Sequence, residues 1–554
     1  MEYNFTQDTK DAKTLSAMEQ TNHTGQLLKL NFYALVVFCL VYLLLPLVWD
    51  DFAKAQVIDD AYYYLSISRN LAQGRGITYG GEWTNGFQPL WMFLLSPLFL
   101  LNVSPFFPVK IALFLSGFFC VLSGLVIYRS GQLLSSERNL PGFAAILWLS
   151  CIFALEQALK GLETGLYYFC LSVLIFIYLK RVRLNPAPSF QDWALMGLIS
   201  GLCFLTRIDA GFILLPLWLA GFYYSWIKSR DSGLNSAQAW MHTFLKVGLG
   251  FLVFLAFALP WVGYNYWLWG NPLPASGVFA SAQIHQEMTF LKRVQGTIIS
   301  LLRIPLFYPF SWATLYWRSY HWAESILLAL GIFAWGICWA FDRKLRVTVN
   351  KMPLRPLLVA GALLIAGYLI FIIPQWYITR YLSPLILLTI FYSSAFWLRY
   401  LGRKPAVLAA VSITLLAGAL LMNIMSALVR MRNPVEHLPL YRFQNMDWIR
   451  KNIPRDKAIG AFQSGIYEYY LAPEGWTVKN LDGRVSLAAL RALRDGRLDK
   501  YLQEQKIVYL IDWSYYLSPF VVKYNFKRGI DYRIITKQQG DYVMELLETN
   551  RSGQ

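Results

Sequence analysis

Asp59 and Asp60 stand side by side in Val57-Ile58-Asp59-Asp60-Ala61-Tyr62-Tyr63-Tyr64, between the first long apolar run and a glycine-rich stretch. Adjacent acids can divide labour: one removes a proton from a reacting hydroxyl or binds a metal, and the other tunes it. The plainer alternative is a helix N-cap, because a carboxylate accepts the free N–H groups of a first turn. One cap needs one carboxylate, and here there are two. The residues that follow, up to Gln73, have the pattern of an interfacial helix ended by Gly74.

Next comes Gly74-Arg75-Gly76-Ile77-Thr78-Tyr79-Gly80-Gly81-Glu82-Trp83-Thr84-Asn85-Gly86-Phe87-Gln88-Pro89-Leu90-Trp91, five glycines in thirteen residues. That density implies tight turns and close backbone approach. It is no nucleotide cradle, since no strand precedes it and the Lys-Ser/Thr of a P-loop is absent. Two cationic sites lie at helix ends: Arg207 beside Thr206 and Asp209, and Arg380 within Trp376-Tyr377-Ile378-Thr379-Arg380-Tyr381. Ionisable groups at membrane depth are functional candidates by default, although an arginine at a helix end also reaches the headgroups simply to stay solvated. Asp209 and Thr206 would aim the Arg207 guanidinium at a phosphate. Glu163, in Gly161-Leu162-Glu163-Thr164, is either a site carboxylate or half of a surface pair with Lys160. The five histidines are scattered, which disfavours a histidine-built metal site.

The composition sets what must position these groups. Hydrophobic residues are 56% of the 554, charged residues only 15%, against about 25% in a soluble chain. Mean hydropathy is +0.40. Much of the chain therefore meets lipid. The net charge of +18 is not a nucleic-acid footprint: from Pro434 onward there are 18 Lys+Arg against 14 Asp+Glu. The rest of the surplus sits in short basic clusters between apolar runs, the positive-inside pattern. All six cysteines lie in apolar runs, so no disulfide framework is offered.

A span needs about 20 mainly apolar residues. Eleven segments are expected to cross: 31–49, 108–128, 142–159, 164–180, 193–206, 210–227, 244–264, 322–341, 354–373, 381–399 and 405–428. Pro89–Leu101 would make only about 20 Å of helix and is expected to lie at the interface. With residues 1–30 as a cytoplasmic tail, the clusters around Arg129, Lys180, Lys228, Arg346 and Arg403 then fall inside. Lys292-Arg293, Arg430 and Arg432 are the exceptions. The polar motifs, Asn271–Gly277 and Gln375–Tyr381 among them, fall outside. Residues 31–433 form the membrane domain, with a catalytic external loop at 50–107. Residues 434–554 read as an extracytoplasmic soluble α/β domain: strand-like runs Lys457–Phe462, Thr477–Asn480 and Ile507–Ile511 alternate with helical ones such as Val485–Leu493.

Asp-Asp-Ala-Tyr-Tyr-Tyr, Gly-x-Gly-x-Thr-Tyr-x-Gly and Thr-Asn-Gly-Phe-Gln-Pro-Leu-Trp together resemble the N-terminal signature of GT-C-fold membrane glycosyltransferases. Within that superfamily they resemble the branch of mycobacterial-type arabinofuranosyltransferases that use decaprenyl-phosphate arabinose. Gly161–Thr164 is similar to that superfamily's second external acidic site, and Asn480-Leu481-Asp482-Gly483 to a motif in the outer domain of such chains. The resemblance implies a polytopic α-helical GT-C protein of the inner (plasma) membrane. It implies transfer of a sugar, with inversion, from a polyprenyl-phosphate donor to a glycan, lipid or other cell-envelope acceptor. Asp59 or Asp60 would be the base, and Arg207 and Arg380 would hold the donor phosphate. Glu163, Asn85, Gln88 and Asp209 would contact substrate. Asp59, Asp60 and Glu163 are also the oxygen ligands that would suit a divalent cation such as Mg²⁺, Mn²⁺ or Ca²⁺. The rival reading is a transporter or flippase of a lipid-linked sugar, which would usually show internal repeats and broken helices near the midplane.

Overall fold

A computed structural model describes residues 30–134, 137–278, 289–302, 330, 333, 336–371, 378–401, 405–432, 439–538 and 541–547. The expected tail 1–30, apart from Leu30, lies outside them, as do residues 375–377 and the junction 433–438.

Among the described residues, seven helices are long and apolar enough to cross a bilayer: Leu30–Val48, Phe106–Leu134, Thr164–Arg183, Ile208–Asp231, Ser236–Trp269, Pro384–Leu401 and Pro405–Arg432. Two further pairs, Leu140–Leu149 with Ile152–Ala158 and Arg343–Lys351 with Arg355–Phe371, are bent by 56° and 87° and bring the number to nine if each is one span. The protein is thus a multi-pass helical membrane protein, but the expected eleven crossings are not reached among the described residues. Phe190–Thr206 is one reason. Its 17 residues make about 26 Å of helix, a little under the roughly 30 Å hydrocarbon core, so it falls outside the count by length although it runs from the Arg183–Lys228 end of the bundle to Arg207. It is packed backbone to backbone: a Cβ on Gly197 would come within 2.0 Å of the Gly250 carbonyl oxygen. The other reason is that most of 322–341 lies outside the described residues.

Pro89–Leu101 does not cross. It forms a helix over Pro89–Leu95 continued by a 3-10 turn over Ser96–Leu100, with proline at its first position, where the missing N–H costs nothing. Before it, Asp59–Ala72 is helical, and the chain reverses at Gly74, whose φ is +74°. A two-stranded hairpin follows, β1 (Thr78–Tyr79) and β2 (Glu82–Trp83). Gly80 and Gly81 form its tip at φ +55° and +85°, the left-handed pair that a two-residue hairpin turn requires.

The C-terminal α/β domain holds a five-stranded mixed sheet. Its strands are β3 (Ala458–Ala461), β4 (Val478–Asn480), β5 (Ile507–Trp513), β6 (Tyr532–Gln538) and β7 (Asp541–Leu546), in the order β4-β3-β5-β7-β6. β3 pairs in parallel with β4 and β5, whereas β7 is antiparallel to β5 and β6. The helix Leu487–Arg494 overlaps the helical run expected over Val485–Leu493.

This domain sits directly on the helix Asp59–Ala72. The Arg69 guanidinium reaches Glu468 at 3.3 Å, and the Tyr79 hydroxyl lies 2.8 Å from Ser464 Oγ. Lys479 Nζ donates to the Gly80 carbonyl at 3.1 Å, fixing the hairpin to the edge strand β4.

Candidate functional site

Neither Asp59 nor Asp60 is the N-cap of its own helix. Ile58 holds that place, and no side-chain cap bond is made. Neighbours on a helix point about 100° apart, and the two acids enter different surroundings. Asp59 caps a different helix, Gly465–Leu471: its oxygens accept the Gly465 and Ile466 N–H groups at 3.0 and 3.1 Å. Arg442 Nη1 donates to it at 2.9 Å. The same guanidinium lies 3.7 Å from Asp512 and 3.8 Å from Asp541. Burial pushes the Asp512 carboxyl up to about 7, against the opposing pull of Arg442.

Asp60 is open. Its side chain is 33% exposed, against 8% for Asp59. Arg380 Nη1 lies 3.8 Å from one oxygen and Arg484 Nη1 3.5 Å from the other. Glu163 is close by but buried. It accepts the Tyr64 hydroxyl at 2.9 Å, and that hydroxyl also meets the backbone of Gln88. The surface-pair reading of Glu163 with Lys160 is therefore corrected, because Lys160 pairs with Glu156 at 3.3 Å. Glu156 is also bound by Arg430, which donates to Gln56 at 2.7 Å as well. This explains one exception to the basic-cluster rule: Arg430 is an internal ion-pair partner rather than a loop charge.

Arg207 is buried and held by Asp209 in a forked pair, Nε at 3.0 Å and Nη2 at 2.6 Å. Thr206 takes no part, since its hydroxyl donates to the Cys203 carbonyl at 2.6 Å. The Tyr368 hydroxyl completes the pair by donating to Asp209. The Arg207 guanidinium lies 5.0 Å from the Tyr167 ring and 4.6 Å from that of Tyr381, and Arg380 lies 4.9 Å from Tyr381 on its own account. One phenol ring thereby connects the two expected phosphate-binding cations. Among the described residues, Arg207 Nη1 and Arg380 Nε have no hydrogen-bond partner, so each keeps a donor for an anion.

The Thr84-Asn85-Gly86 loop closes the arrangement. Asn85 Oδ1 accepts the Ala275 N–H at 3.2 Å, and the Tyr264 hydroxyl donates to the Thr84 carbonyl at 2.9 Å. Asn85 Nδ2 and Gln88 Oε1 are buried without a partner among the described residues. A Cβ on Gly86 would come within 1.8 Å of the Arg484 carbonyl oxygen, so only glycine lets this loop touch the C-terminal domain. The motifs that are scattered in the chain thus converge at one end of the helical bundle: Asp60 and Glu163 around Arg380, Gln88 through Tyr64, the Asn85 loop through Gly86 and Arg484, and Arg207 and Asp209 through Tyr381.

The residues that sequence reasoning missed are Tyr64, Tyr368, Arg442 and Arg484. Two carried a signal: Tyr64 as the last residue of Asp-Asp-Ala-Tyr-Tyr-Tyr, and Arg484 as the residue following Asn480–Gly483. Among the described residues no three His, Cys, Asp or Glu side chains come together to hold an ion, and Asp59 is consumed by Arg442 and two amides.

Fold and site define a polytopic helical membrane protein whose α/β domain closes one end of the bundle over a carboxylate–arginine centre. No protein-family model matches the chain, and no curated protein matches it. Among solved structures it is similar to the crystal structure of ArnT from Cupriavidus metallidurans in the apo state. Identity is 15% and the TM-score 0.44, over 91% of this chain and 97% of that one.

Proposed function

We propose that the protein is a glycosyltransferase that moves a sugar from a polyprenyl-phosphate donor to a cell-envelope acceptor, a glycan or a lipid. The site and the C-terminal domain face the extracytoplasmic side of the inner membrane. The observation that carries the reading is Asp60, an accessible carboxylate between two arginines where the signature motifs meet. In this reading Asp60 takes the proton of the acceptor hydroxyl while that oxygen forms a bond to the anomeric carbon. The bond from that carbon to the phosphate oxygen breaks, and its electron pair leaves with the phosphate. Arg380, with Arg207 behind Tyr381, stabilises the departing charge. Attack from the face opposite the phosphate inverts the anomeric centre. Glu163, Asn85 and Gln88 are assigned to substrate contact. Asp209 serves by holding Arg207, and Asp59 is assigned a structural part. No step is routed through a divalent cation.

The test is transfer of radiolabelled sugar from a synthetic prenyl-phosphate donor by purified protein in detergent, with Asp60→Asn beside the wild type. Transfer by the wild type and its loss in the variant are expected. Wild-type protein that moves a lipid-linked sugar between leaflets of a vesicle and transfers none would replace this reading with the transporter. Reporter fusions after Arg183, Arg230 and Arg346 check the orientation, since all three should report cytoplasm.

A further inference from the structure

Two carboxylates from different parts of the fold meet one guanidinium. Arg484 Nη1 lies 3.5 Å from Asp60, at the head of the helix Asp59–Ala72, and its Nε lies 3.4 Å from Asp482, in the turn after β4. That turn is held on every side. Gly483 takes a left-handed φ of +76° and donates its N–H to Asn480 Oδ1 at 3.0 Å, while the Arg484 N–H donates to Asp482 Oδ1 at 2.9 Å. Asn480 Nδ2 reaches the Tyr63 hydroxyl, on the same helix as Asp60, at 3.4 Å. From the far side Gly86 presses on the Arg484 main chain, leaving no room for a Cβ. The backbone places the guanidinium; it is not a flexible surface arginine that happens to lie nearby.

We propose that the turn Asn480–Arg484 completes the reaction centre: Arg484 is a positioning residue for the Asp60 carboxylate, and Asp482 competes with Asp60 for that guanidinium. The proposal rests on the glycosyltransferase reading of Asp60 and adds to it that the C-terminal domain supplies part of the centre itself. A planar guanidinium can hold two carboxylates at set directions, one nitrogen to each as here, which a point charge cannot, and a base must be aimed at the proton it takes. The groups facing Asp482 are Arg484, Asp60, the Asn480 amide and the phenols of Tyr63, Tyr79 and Tyr516. Burial pushes the Asp482 carboxyl up to about 6, Arg484 opposes that shift, and the Asp60 charge adds to it. Below that value Asp482 is neutral and leaves Arg484 to Asp60. Above it the two acids share the cation.

Full-length variants assayed with the prenyl-phosphate donor test this. Arg484→Ala should lower kcat by about 10²-fold, the scale of a misplacement of roughly one ångström, with the donor KM unchanged. Arg484→Lys keeps the charge without the fork and should recover part of kcat. The wild-type pH profile should show an inflection near 6 that Asp482→Asn lacks, the two curves meeting below it and parting above it. Wild-type kcat in Arg484→Ala, or superposed pH curves, would overturn the proposal. If Arg484→Ala does not fold, Arg484→Lys and Asp482→Asn decide by the same readings. If the wild type transfers no sugar, the glycosyltransferase reading fails separately. Amide exchange over residues 60–64 and 481–486 then reads the contact alone: faster exchange in Arg484→Lys than in wild type supports the tether, and identical exchange removes it.

Discussion

Two arginine-centred regions flank the same pair of aspartates, and they differ in almost everything except the residue types. Arg442 is 1% exposed and faces Asp59, Asp512 and Asp541. Arg484 is 36% exposed and faces Asp60 and Asp482. The first region is closed, with both Asp59 oxygens bound by backbone amides and the guanidinium. The second opens to solvent and to one further cation, Arg380. A single peptide step on one helix separates a structural latch from a candidate base. An Asp-Asp motif is therefore best read as two residues with separate duties, each assigned by what the rest of the fold brings to it.

The sharpest break in this comparison is Asp60→Asn. Positioned acid–base catalysis is worth roughly 10²–10⁴-fold, so turnover should fall by about that factor while the melting temperature holds. Asp59→Asn should do the reverse, lowering the melting temperature by the loss of a charge-assisted bond worth about 1.5–3 kcal/mol. If the loss of turnover at unchanged stability belongs to Asp59, the two regions have been assigned the wrong way round. Arg442→Ala tests the latch from its other half. It leaves buried acids without their counter-charge, a loss of about 3–5 kcal/mol, read by thermal or denaturant unfolding. An unchanged midpoint would mean that the acids are not held by this arginine. The smallest effect is expected at Gly86→Ala, where a methyl group meets the Arg484 carbonyl. Overpacking of that kind costs about 1–3 kcal/mol. It should disturb the open region more than the closed one, visible as slower transfer at unchanged Arg442-dependent stability.

Much of the architecture was legible in the sequence because hydropathy and turn chemistry act locally. The helix after Asp59, its end at Gly74, the non-crossing Pro89 segment and the strands near residues 458, 478 and 507 all follow from patterns a few residues long. The number of crossings was not legible. Apolar runs do not reveal a 56° bend at Ser150-Cys151 or a short helix seated by glycine against glycine. Of the site, Asp60, Glu163, Arg207 and Arg380 stood out because charge near a membrane boundary is costly. The split between Asp59 and Asp60 could not be read, since it depends on where the partners of a helix lie around its axis. Arg442 was invisible for a related reason: in a soluble-looking domain an arginine carries no local mark of being buried.

The polar groups that anchor the first loop find their partners 399 to 407 residues later in the chain. At a synthesis rate of about 5–20 residues per second, Asp59 and Arg69 emerge roughly 20–80 s before Gly465, Glu468 and Tyr469 exist. During that interval the loop can be membrane-associated, but it has nothing to close against. Assembly of the centre is thus deferred until residues 442–484 have been made. A chain that stops after Arg432 would carry every membrane-crossing helix described here and lack the latch, the Arg484 contact and the helix that Asp59 caps. Residues 442–484 thus have to be present before the first loop has its partners.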